Sequence, residues 1–260
     1  MRVGSMNNPR NNVLEELTLF SGFGLDFIDL TIEAPEATPE KVGEAKSGLM
    51  KFLREKNMSL VAHMPWFLQI ASPYPDLRDA FVGEAFRVLE AASLLRAWHV
   101  TIHPDFLTLH RPKSELLELT VSSLGLILER AGELGLELCF ENFEKAHIST
   151  DAMGDIFRRL PELKFTLDVG HAFMGSHNME HVRHLVGEFG DRLLHVHLHD
   201  NMGHHDDHLP LGVGKIDLSE VVSILKSSGF DNTITLEIHA DDRDYIRVSM
   251  EKLRDAWEDN

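Results

Sequence analysis

The sequence predicts an α/β fold, a single (β/α)8 TIM barrel over residues 1–260, and three observations carry that prediction. Eight short apolar or β-branched runs alternate with longer amphipathic segments. No Pro/Gly/Ser-rich linker and no change of composition interrupts the alternation, so one domain is expected. Histidines and carboxylates collect at the C-terminal ends of the runs, the rim on which this architecture builds its sites. A doubly wound open sheet is the alternative arrangement of the same units.

The first run, RVGSM, begins at residue 2, and LDFIDLTIE follows from 25. Thr38-Pro39-Glu40 then opens a helix, with Thr38 as N-cap and a proline in the first turn, where its missing N–H goes unused. SLVAHM from 59 is the third run, with a striped helix after residue 76. HVTIH from 99 is the fourth, and an amphipathic segment from about 113 to 134 leads to LELCFEN from 136. KFTLDV from 164, LLHVHLHD from 193 and TITLEIH from 233 complete the set. Between the last two, Asp217 caps LSEVVSILKSSG, whose Leu218, Val221, Val222 and Leu225 form an apolar stripe that Gly229 ends.

Composition narrows the function. The 43% apolar content is enough to bury one large core. Lys and Arg total 25 against 42 Asp and Glu, and the resulting charge of −17 disfavours nucleic acid and anionic membranes without excluding a nucleic-acid ligand. The lone Cys139, inside LELCF, reads as a small buried side chain, so no disulfide framework exists and a reducing, cytoplasmic setting is expected. MRVGSMNNPR lacks the apolar core of a signal peptide, and no window approaches the ~18 apolar residues of a membrane span. Exposed barrel helices could pair subunits into a homo-oligomer.

The rim residues are specific. His63 closes SLVAH, His103 closes VTIH, Glu141 closes ELCFE and Asp168 closes KFTLD, while His197 and Glu237 lie near the ends of their runs. Carboxylates set in LCFEN and TLEI need a cation or several donors to offset their desolvation. Asp168 and His171 stand three residues apart in TLDVGHA and can converge on one ion or on each other. HVHLHDNMGHHDDHLPLGVG, from residue 195, holds six histidines. Alternation places His195, His197 and His199 on one face, expected to point inward. His195 sits low and His199 leans into the loop, which favours His197. His204 and His205 read as solvated. Asp206 and His208 precede a Leu-Pro turn and the Gly212-x-Gly214 bend, so they can fold back over the rim. Those two glycines lack the spacing of a dinucleotide fingerprint.

AHMPW, TIHPD, CFENFE, LDVGHA, HLHDN, DDHLPLGVG and LEIH, in that order, resemble the xylose isomerase-like TIM-barrel superfamily of sugar isomerases, ketose 3-epimerases, inosose dehydratases and endonuclease-IV-type abasic-site nucleases. The resemblance spans essentially the whole chain. It implies, from the epimerase-like members, one divalent metal on Glu141, Asp168, His197 and Glu237, with the two glutamates as paired acid and base. From the nuclease branch it implies three zinc ions on His63, His103, Glu141, Asp168, His171, His197, Asp206, His208 and Glu237. Departures exist on both sides. Glu141-Asn142-Phe143-Glu144-Lys145 replaces the small, glycine-rich stretch of the nucleases, and no arginine occurs between Arg192 and Arg243 to clamp an anionic sugar.

Four of the nine candidates are carboxylates, so one divalent ion leaves about −2 at the mouth, two leave it neutral and three make it about +2. A neutral ketose suits the first state and a phosphodiester the last. The expected function is a divalent-metal isomerase or epimerase of a sugar, polyol or hydroxy-ketone. Glu141 and Glu237 would transfer protons, with His171 on a substrate oxygen and Trp66 as an apolar floor. The metal would be zinc or manganese, one to three ions. The alternatives are a zinc phosphodiesterase of the abasic-site type and a non-catalytic metal- or ligand-binding barrel.

Overall fold

The computed structural model describes residues 1–105, 111–143, 148–174 and 178–260. Its strands are β1 (Arg2–Met6), β2 (Phe27–Thr31), β3 (Ser59–His63), β4 (His99–Ile102), β5 (Glu137–Glu141), β6 (Lys164–Asp168), β7 (Leu193–Leu198) and β8 (Thr233–Leu236). Each falls within one of the predicted runs. All pair in parallel in chain order, and β8 returns to β1 through Arg2–Thr233 to Ser5–Leu236, so the sheet closes into a barrel and the open-sheet alternative is excluded.

The α-helices among the described residues are α1 (Val13–Phe23), α2 (Pro39–Lys56), α3 (Pro75–Leu94), α4 (Lys113–Glu133), α5 (Thr150–Arg159), α6 (Val169–Phe173), α7 (Glu180–Phe189), α8 (Leu218–Ser227) and α9 (Asp244–Asp259). Thr38 caps α2 by accepting from the Lys41 N–H, and Asp217 caps α8 by accepting from the Glu220 N–H, as their sequence contexts predict. No helix among the described residues is long and apolar enough to cross a membrane.

Alternation along the strands sorts side chains into two environments. Ile28, Leu30, Val100, Leu138, Val196, Leu198, Ile234 and Leu236 are buried among the apolar core, each contributing about 1.5–3 kcal/mol. The side chains between them are largely polar. Thr101 and Thr166 join their hydroxyls at 2.9 Å, and His195 Nδ1 lies 2.8 Å from the Thr233 hydroxyl. The barrel interior is therefore a buried polar column beneath the rim. Cys139 is buried in it, and burial pushes its thiol up.

After β7 the chain doubles back. Asp200 and Leu209 exchange backbone hydrogen bonds at 2.9 and 2.8 Å. The Asp200 carboxylate also accepts from the N–H groups of Asn201, Gly212, Gly214 and Ile216, at 2.8 to 3.0 Å. One carboxylate thus folds residues 200–216 over the mouth. A Cβ on Gly214 would strike that carboxylate and the Asn201 backbone. Gly214→Ala is expected to destabilise the protein by about 1–3 kcal/mol, read as a lowered denaturant midpoint.

Candidate metal centre

The barrel brings all nine sequence-predicted residues to one rim. His63, Glu141 and Asp168 are the last residues of β3, β5 and β6, while His103 and Glu237 stand one residue beyond β4 and β8. The β6–β7 register sets His197 beside Asp168. Glu141 is the hub. Its Oε2 lies 3.4 Å from His63 Nε2, 3.1 Å from His103 Nε2 and 3.2 Å from His197 Nδ1, and its Oε1 lies 3.2 Å from His171 Nδ1. His197 Nδ1 is also 3.0 Å from Glu237 Oε1.

Ligand atoms lie within 4.8 Å of one another in several overlapping sets: His63, His103 and Glu141; His63, His197 and Glu237; Glu141, Asp168 and His197; and His171, His199, Asp206 and His208. Many of these atoms approach closely without hydrogen-bond alignment. Glu141 Oε1, Asp168 Oδ2, His197 Nδ1, His199 Nε2 and Asp206 Oδ1 are all buried and lack a hydrogen-bond partner. Donor atoms crowded together without sharing protons are the arrangement that a cation resolves, since an unpaired buried carboxylate is otherwise costly. The residues therefore fit a divalent metal, and mixed histidine and carboxylate donors suit zinc, manganese, iron or cobalt.

The electrostatics of these side chains point the same way. Burial pushes Asp168 up to about 7, with Glu237 and Glu141 adding to it against His171. Burial likewise opposes the charge on Glu141, but His103 and His197 hold its carboxyl well below the usual range. Burial would depress His208, yet its contact with Asp206 and the nearby Glu237 carry it to about 9. Protons and histidine charges balance four carboxylates here, a role that a metal ion takes over when it displaces them.

The sequence reading set one residue aside and missed another. His199 lies just beyond β7, as its loop-ward lean predicted, but it is fully buried and its Nε2 stands 3.4 Å from Asp206 Oδ1. Asp29, in β2, is fully buried beneath the rim, with Oδ2 at 3.4 Å from His197 Nε2, 3.3 Å from His195 Nε2 and 2.9 Å from the Thr235 hydroxyl. A carboxylate behind a ligating imidazole fixes its orientation and raises its basicity. FIDLT carries the same signal as LCFEN, a carboxylate among apolar strand residues, but mid-strand. Asp29→Asn is expected to weaken zinc binding about 10–100-fold, measured by competition with a chromogenic chelator.

The mouth opens into a cavity of about 840 Å³ lined by His63, His103, His171, Asp206, His208 and Glu237. Trp66 also lines it, but at 53% exposure it stands on the rim and is no floor. His204 and His205 are exposed, as predicted. Arg243 reaches the cavity edge with Nη2 held 2.6 Å from Glu16 Oε2. Glu144 and Lys145, one point of departure from the nuclease pattern, lie outside the described residues.

Comparison with known proteins adds family and fold. The profile described as xylose isomerase-like TIM barrel matches residues 18–256. An uncharacterised protein of Methanocaldococcus jannaschii is 31% identical over 185 residues, covering 65% of this chain and 63% of its own length. The chain thus spans less than two thirds of that relative. Among solved structures, a D-tagatose 3-epimerase-like protein superposes with a TM-score of 0.88 at 24% identity, over 99% of this chain and 97% of its own. A Thermus thermophilus protein soaked with zinc chloride superposes at 0.79 with 25% identity, over 100% and 99%.

Proposed function

The chain belongs to the xylose isomerase-like TIM-barrel family, and from that premise we propose that it is a divalent-metal-dependent isomerase or epimerase of a sugar, polyol or related hydroxy-ketone. One observation carries the reading: Glu141 and Glu237 both meet His197 Nδ1, at 3.2 and 3.0 Å, and Glu237 lines a cavity large enough for a small substrate.

Glu141, Asp168, His197 and Glu237 would hold the central ion. When bound, a divalent ion supplies Lewis acidity that polarises a substrate carbonyl and its neighbouring hydroxyl. Glu141, kept ionised by His103 and His197 despite its burial, serves as a base toward the carbon acid beside the carbonyl. Burial opposes the charge on Glu237 too, yet His197 and His208 lower its carboxyl, and it takes the second position in the pair. One glutamate removes the proton and the other returns it, on the opposite face or the neighbouring carbon. His171, whose Nδ1 lies 3.1 Å from the Asn142 carbonyl, presents Nε2 beside Asp206 to a substrate oxygen. His63 and His103 line the pocket or hold a further ion.

The convergence of all nine ligand-type residues supports a second reading, a zinc phosphodiesterase of the abasic-site type. The charge of −17 weighs against a nucleic-acid substrate. The test is a panel of ketoses and polyols beside an abasic-site duplex, with zinc- or manganese-loaded protein. Ketose turnover lost on chelation supports the first reading. Metal-dependent duplex cleavage with no ketose turnover replaces it with the second.

A further inference from the structure

We infer that the cleft between α2 and α3, at the end of the barrel remote from the mouth, is a binding site for a small organic phosphate, held by Lys46, Arg54 and Arg96. The inference is independent of the reaction assigned to the mouth.

Helices of this fold run back against the strands, so their C-terminal ends lie opposite the rim. There α2, the end of α3 and Leu134, just past α4, line a cleft of about 760 Å³. Lys46, Met50 and Arg54 are spaced four residues apart and share one face of α2. Among the described residues, Arg10, Arg54 and Arg96 are the arginines whose guanidinium has no ion pair, hydrogen bond or ring contact, and two of these three line the cleft. Lys46 makes no ion pair there either, while Glu90, the acid in the lining, is neutralised by Arg130 Nη2 at 2.8 Å. In a chain of charge −17, cations gathered without acidic partners are open to an anion from outside.

The backbone supplies an independent observation. Helices α1, α2, α3, α4 and α8 all end on a left-handed residue whose N–H bonds the carbonyl three residues back, while the next N–H bonds the carbonyl five back. Gly24, Asn57, Gly135 and Gly229 take that position after α1, α2, α4 and α8, but after α3 it is Arg96, at φ 59°. A residue with a long side chain is strained in this conformation, where glycine is not. Strain held by a non-glycine residue marks a use for its side chain, and here it brings the guanidinium to the cleft. The helix macrodipole favours a cation near this end, but an arginine at an exposed position of the last turn would meet that need without strain. Two guanidinium groups and an ammonium suit a phosphate, whose oxygens accept paired N–H donors. Met50, Leu94 and Leu134 add apolar surface for the body of an organic phosphate. Three cations do not offset a charge of −17 along an extended nucleic-acid backbone.

The test is isothermal titration of zinc-loaded protein with ADP and with inorganic phosphate, for the full chain, Arg54→Gln and Arg96→Gly, beside thermal melts of all three. ADP is expected to bind more tightly than phosphate, and each substitution to weaken it about 10-fold or more, the loss of one hydrogen bond to a charged group. Arg96→Gly is expected to keep or raise Tm, because glycine relieves the strained backbone; a purely structural role for Arg96 would lower Tm and leave ADP affinity alone. No ADP binding, or binding that either variant leaves unchanged, would overturn the inference. Phosphate bound as tightly as ADP would overturn the organic-phosphate assignment. Should Arg96→Gly fail to fold, Arg54→Gln, a change at an exposed residue, decides alone.

Discussion

Replacing Glu141 with glutamine is expected to lower kcat on a ketose by ~10²–10⁴-fold, the range lost with a general base, with the fold retained. Gln keeps the size and one carbonyl oxygen but has no basic oxygen to take a proton. The effect should be large because Glu141 is shared: its carboxylate meets His63, His103, His171 and His197 at 3.1 to 3.4 Å. The same substitution is expected to reduce metal content, since Glu141 belongs to two of the candidate ligand sets, with His63 and His103 and with Asp168 and His197. Steady-state kinetics on metal-saturated protein separates the two consequences. A variant that turns over at the parental rate would remove Glu141 from the chemistry.

Stripping the protein of metal should abolish turnover and lower Tm together. Ligand linkage contributes about 4 kcal/mol when free metal exceeds Kd a thousandfold, which for a chain of this size shifts Tm by about 8–16 °C. The metal-free rim holds buried carboxylates and histidines that only protons neutralise, so it should be the weakest part of the stripped protein. Protons and metal compete for these atoms. Asp168 and His208 are raised to about 7 and about 9, so apparent affinity should fall as pH drops through that range and rise toward its upper end. Differential scanning fluorimetry with and without chelator, repeated across pH, measures both effects. Equal melting temperatures would contradict the metal reading.

Much of this was legible in the sequence for a local reason. Alternation of two in a strand fixes which side chains face inward, and six runs ended in a histidine or carboxylate, so closing the sheet was enough to gather them. Depth was not legible. Whether His195, His197 or His199 reaches the mouth depends on barrel tilt and on where β7 ends relative to β6 and β8, which no short window contains. His197 lies between Glu141 and Glu237, and His199 is buried at the end of β7 where Gly170, from a different element, leaves room for its ring. Asp29 was missed for the converse reason: it lies mid-strand, where an ionised side chain has no obvious role until the β7 histidines are placed above and beside it. The return of Asp206 and His208 over the rim followed from the turn residues, but the device that enforces it, the Asp200 carboxylate gathering four N–H groups, spans sixteen residues.

Proton transfer beside a carbonyl leaves a direct trace. Zinc- or manganese-loaded protein would be incubated with a panel of ketoses in deuterium oxide and followed by proton NMR, with Glu141→Gln and chelator-treated protein alongside. The expected result is deuterium entering at the carbon beside the carbonyl of at least one ketose, absent in both controls. Protein with its central ion bound that exchanges no substrate proton across the panel, or that exchanges equally well as Glu141→Gln, would contradict the assignment of the paired glutamates.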